Sequence, residues 1–141
     1  MLQEIDIFSL ETHDGPYEKW PLKTRLLKDG APTSLTLPGY ILLHQYKTKA
    51  GYFLFVTDWD CPYEEMTHFI LTDEHLRIRS SRQLGGPYVS YLLTAFSPQP
   101  DGSAIATFGM DSGNNRHYRL KIRDFSFSWI WPKLSLQRVL L

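Results

Sequence analysis

The residues best equipped for chemistry stand together in one stretch, Asp58-Trp59-Asp60-Cys61-Pro62-Tyr63-Glu64-Glu65. It holds four carboxylates, two large aromatics and the chain's single thiol, with His68 just beyond. Carboxylate oxygens are what a hard cation takes, and paired carboxyl groups can divide acid and base work. His68 would add a nitrogen ligand. The spacing is not a calcium loop, because no glycine stands where an EF-hand needs its sharp turn. The pattern suits a contact surface better than a reaction centre. Asp58, Trp59, Asp60, Tyr63, Glu64 and Glu65 are therefore the expected partner-binding residues, aromatic anchors set in negative charge that would meet a basic partner. No catalytic residue, no metal and no cofactor is expected.

Two other groupings offer chemistry. Arg77 and Arg79 share one side of a strand, and Arg119, Lys121 and Arg123 share another, with His117 in line. Side by side, the two strands would make a basic stripe near aromatics, the combination that holds single-stranded nucleic acid. The plainer reading is the solvated face of two amphipathic strands. In Phe125-Ser126-Phe127-Ser128-Trp129-Ile130-Trp131, four aromatics alternate with smaller residues. That could be a stacking platform, but a run so apolar needs burial, and a core strand is the expectation.

The remaining signals are negative. His13, His44, His68, His75 and His117 form no close pair and no HExxH, and His44 and His68 fall where hydrogen-bonded sheet histidines would. There is no Gly-x-Ser-x-Gly elbow and no glycine-rich phosphate loop. Carboxylates around Cys61 disfavour its thiolate.

The elements that must position these residues are strands. Apolar side chains recur with a period of two, and turn residues punctuate the chain at Asp14-Gly15-Pro16, Asp29-Gly30, Pro38-Gly39, Gly85-Gly86-Pro87 and Asp111–Asn115. The spacing predicts an all-β antiparallel meander of about nine or ten short strands, closed as a barrel or folded as a two-layer sandwich. Residues 40–84 also have the size of one propeller blade, although the chain is too short to close a propeller. One short helix is expected at most, within residues 17–28, where Trp20, Leu22, Leu26 and Leu27 have helical spacings and Pro21 would sit in the first turn.

The chain has 141 residues, which suits one domain over residues 1–141. Fifteen basic and fifteen acidic residues leave no net charge, so nothing draws the whole molecule to nucleic acid or to an anionic membrane. One cysteine rules out an internal disulfide and suits a reducing, cytoplasmic setting. The N-terminus lacks the pattern of a signal peptide, and no apolar run approaches the ~20 residues of a membrane span. The function expected is that of a non-catalytic protein-binding module. It would be an accessory or immunity-type protein whose acidic loop masks a basic toxin or enzyme. The alternatives are a single-stranded nucleic-acid binder and a small-molecule or metal-dependent enzyme with carboxylates near residues 58–68. A near-neutral surface and open sheet edges also suit a homodimer.

Overall fold

Phe53-Leu54-Phe55-Val56 has no polar alternation, and all six residues of the strand Phe53–Asp58 are buried. A strand reads this way only when both of its faces are covered. That strand is the centre of the fold. The structure is a computed structural model that describes residues 1–59, 64–87, 91–110, 113–123 and 134–140, and the side chains of all of these except 64, 65, 86, 87 and 91.

The described residues form twelve strands: β1 (Gln3–Glu4), β2 (Phe8–Leu10), β3 (Lys23–Lys28), β4 (Ala31–Pro38), β5 (Ile41–Lys47), β6 (Phe53–Asp58), β7 (Glu64–Thr72), β8 (Ile78–Pro87), β9 (Tyr91–Pro98), β10 (Ala104–Met110), β11 (Asn115–Ile122) and β12 (Leu134–Val139). They pair antiparallel in three sheets, ordered β1-β5-β6-β7-β8, β12-β11-β10-β9 and β2-β3-β4. Among the described residues no helix is long and apolar enough to cross a membrane.

The five-stranded sheet lies in the middle. On one face Leu54, Val56, Phe69 and Leu71 meet Ala106, Phe108, Leu120 and Leu134 of the four-stranded sheet. On the other, Phe53, Phe55 and Ile70 meet Phe8, Leu26, Leu35 and Leu37 of the three-stranded sheet. The expected all-β antiparallel fold is thus met by stacking and not by barrel closure. The stack is three sheets deep where two were expected, because β6 and β7 bury both flanks.

Within residues 17–28, where at most one short helix was expected, the chain makes a single 3-10 turn, Tyr17–Lys19, followed by β3. Thr24 and Leu26 alternate inward along β3, and the two-residue turn Asp29-Gly30 returns the chain into β4 with Lys28 opposite Ala31. Both turn residues have positive φ, 51° and 79°, as the tight hairpin requires. Gly85-Gly86-Pro87 forms the end of β8, still paired with Glu64–Met66, and proline is tolerated there because β8 is an edge. The run Phe125–Trp131 lies outside the described residues.

Candidate functional site

At one end of β6 and β5 the chain makes two close passes that set the site. Gly39 has φ +111°, and a Cβ there would lie 3.0 Å from the Asp58 carbonyl oxygen and from the Thr57 side chain. Only glycine fits so near the backbone of β6 in that conformation. The next residue, Tyr40, donates its N–H to the Asp58 carbonyl at 2.8 Å. Beyond β6, Trp59 donates its N–H to Asp58 Oδ1 at 2.7 Å. Tyr40 and Trp59 are thereby held side by side, ring centroids 4.9 Å apart and nearly perpendicular at 78°.

The segment between β2 and β3 adds the rest. Gly15 and Pro16 turn the chain into the 3-10 turn, which places Tyr17 5.8 Å and Trp20 5.1 Å from the Tyr40 ring, both edge-on. Trp20 Nε1 donates to the Gly15 carbonyl at 3.1 Å, and the Tyr40 hydroxyl donates to the Pro21 carbonyl at 2.9 Å. His13 packs on both Trp20 and Tyr40, each at 5.4 Å. The Thr24 hydroxyl donates to the Gly39 carbonyl at 2.7 Å, so it must accept from His13 Nε2, which lies 2.9 Å away. The proton of a neutral His13 is thus on Nε2, and Nδ1 is left as an acceptor with no hydrogen-bond partner among the described residues.

These rings wall a cleft of about 350 Å³, lined by Leu10, Glu11, Thr12, His13, Tyr17, Trp20, Tyr40, Ile41 and Trp59. Tyr17 is 41% exposed, while Trp20, Tyr40, Trp59 and His13 are half-buried. The cleft combines an aromatic wall with one acidic residue, Glu11.

The residues expected at a partner surface are distributed as follows. Trp59 is in the cluster. Asp58 turns inward, only 8% exposed, and its carboxylate orders the start of the segment that follows. Asp60 and Tyr63 lie outside the described residues, and Glu64 and Glu65 open β7. His68 is on the opposite face of the central sheet from Asp58, since Thr57 is its register partner. Its ring packs nearly perpendicular to that of Trp59, centroids 5.7 Å apart, and burial pushes its pKa down. The hydrogen bond expected of a sheet histidine is absent among the described residues, for Nε2 is buried without a partner. Among the described residues no three His, Cys, Asp or Glu side chains gather as metal ligands would.

The basic residues fall on two different sheets. Arg119 and Lys121 belong to β11, on the face away from Leu120, with His117 beside them on the same face. Arg123 follows β11. Arg79 is at the start of β8, and Arg77 precedes it. Arg77 Nε is 3.1 Å from Asp73 Oδ2. Burial would raise the Asp73 carboxyl, but the N–H groups of Arg77 and His75 and the Arg77 guanidinium outweigh it and hold the pKa below its ordinary value.

Sequence reasoning found Trp59 and missed its companions. His13, Tyr17, Trp20 and Tyr40 all stand far from it along the chain, and the spacing of Trp20 fits a helix. The available signal was the density of Gly, Pro and aromatic residues between 13 and 20, a turn-rich segment too aromatic for plain solvent exposure. No protein-family model, no curated protein and no solved structure matches the chain.

Proposed function

We propose that this chain is a non-catalytic protein-binding module whose contact surface is the aromatic face around Tyr17, Trp20, Tyr40 and Trp59, extended by the acidic segment through Glu65. The observation that carries the reading is the ring cluster itself, partly exposed where that segment leaves β6. Tyrosine and tryptophan held rigid at a surface lose little entropy on contact and dominate binding energy where they are found at interfaces. Asp60, Glu64 and Glu65 supply negative charge in the same stretch of sequence, which favours a partner with a basic face and speeds its approach. An immunity-type role, capping a basic toxin or enzyme in the cytoplasm, fits a module of this kind, and the single cysteine suits a reducing setting.

The test is co-purification from the native source with wild-type protein, Trp59→Ala, and the double charge reversal Asp60→Lys with Glu64→Lys. A basic protein retained by wild type and lost with both variants, at unchanged circular dichroism, is the expected result. Equal retention by all three would remove this face as the contact.

A further inference from the structure

We infer that the cleft beside Trp59 is a cation–π recess that receives one basic side chain of the partner, an arginine or lysine; this rests on the reading of that face as a binding surface. Three observations converge on a cation. The first is the wall. Trp20 and Trp59 stand at 90° and 78° to Tyr40, and Tyr17 at 84°, so these three rings that line the cleft are not coplanar with Tyr40 but set across it. A cation within about 6 Å of such ring centres is attracted by the negative π face.

The second is the fate of the polar groups. The Trp20 indole N–H and the Tyr40 hydroxyl proton are spent on the Gly15 and Pro21 carbonyls. The His13 Nε2 proton is spent on Thr24. Those bonds fix the rings in place and engage three of the cleft's donors. In neutral His13, Nδ1 is left as an acceptor. The third is charge. Among the nine described residues that line it, Glu11 is the one acid and none is lysine or arginine. A guanidinium or ammonium entering it would meet an aromatic wall with one acidic residue on its lining.

The test uses N-acetyl-arginine amide and its neutral near-isostere N-acetyl-citrulline amide, titrated into the full chain while the indole N–H resonances of Trp20 and Trp59 are followed by NMR. The arginine compound is expected to bind about fivefold or more tightly than the citrulline compound. Glu11→Gln, a near-isosteric change on an exposed side chain, is expected to reduce that preference while the part supplied by the rings remains, with the spectrum otherwise preserved. Equal binding of the two amides, or absence of binding by both, would overturn the recess. This outcome is separable from that of the binding surface. Partner capture that depends on Trp59 and on the acidic segment, together with no selectivity for arginine over citrulline, would leave the surface standing and dismiss the cation.

Discussion

The side-chain amide of Gln45 brackets the backbone of Phe8: its Oε1 accepts the Phe8 N–H at 2.9 Å, and its Nε2 donates to the Phe8 carbonyl at 2.8 Å. The same Oε1 accepts the Ile7 N–H at 3.1 Å. This is the point where the chain leaves β1 in the central sheet for β2 in the small one, and strand pairing lapses between them. Gln45, on β5, stands in for the missing strand neighbour and ties the two sheets together.

Removing that amide should therefore cost stability without touching the aromatic face. Gln45→Met keeps the length of the side chain and deletes every hydrogen bond it makes. Unfolding in urea should show a loss of about 1–3 kcal/mol, since a part-buried backbone group is left without a partner. A loss under about 0.5 kcal/mol would mean that water replaces the amide and that the bracket is incidental.

Gly39 should be less replaceable than Gly51, although both have positive φ. Alanine there meets the Asp58 carbonyl and the Thr57 side chain at 3.0 Å, in addition to the strain of φ +111°. At Gly51, with φ +91°, an added Cβ meets nothing within 4 Å. Gly51→Ala should cost about 1–2 kcal/mol, the price of backbone strain alone. Gly39→Ala should cost about 1–3 kcal/mol more, because rigid backbone cannot move aside. It should also shift the near-ultraviolet circular dichroism of the Tyr40 cluster. Equal losses at the two sites would show that the close approach to β6 relaxes readily.

Stability should fall on mild acidification, and His68 should be one cause. Burial lowers its pKa below the ordinary 6.5. The unfolded chain accepts the proton near that ordinary value, whereas the folded chain resists it until lower pH. Between the two values the unfolded state binds more protons, so stability is full above about 6.5 and drains away as pH falls through the window. Burial shifts His44 the same way, against a smaller opposing pull from Glu4. The urea midpoint should drop between pH 7.5 and pH 5.5, and His68→Gln should flatten the slope without abolishing it. A midpoint that holds steady or rises over that interval would contradict the buried, unpartnered imidazole.

Much of the fold is legible residue by residue. Asp29-Gly30 can form one kind of tight turn, and it does. The alternation in β4 and the glycine and proline breaks around residue 39 place a strand where a strand stands. The central strands are less legible. In Phe53-Leu54-Phe55-Val56 the alternation disappears because a third sheet covers the second face, and a single chain read locally does not announce what will lie on top of it. The short apolar run after Pro21 fits a helix or a strand, and the hairpin partner β4 decided between them.

The amino-acid sequence by itself determined the strand class, the turns and the weight of aromatic and acidic residues around position 59, because these follow from backbone sterics and side-chain chemistry that act within a few residues. Only the tertiary structure decided that His13, Tyr17, Trp20 and Tyr40 join Trp59 around one cleft, that Asp58 turns inward, and that the arginines divide between two sheets. Those outcomes depend on register and on sheet stacking, and both are settled by burial summed over segments far apart along the chain.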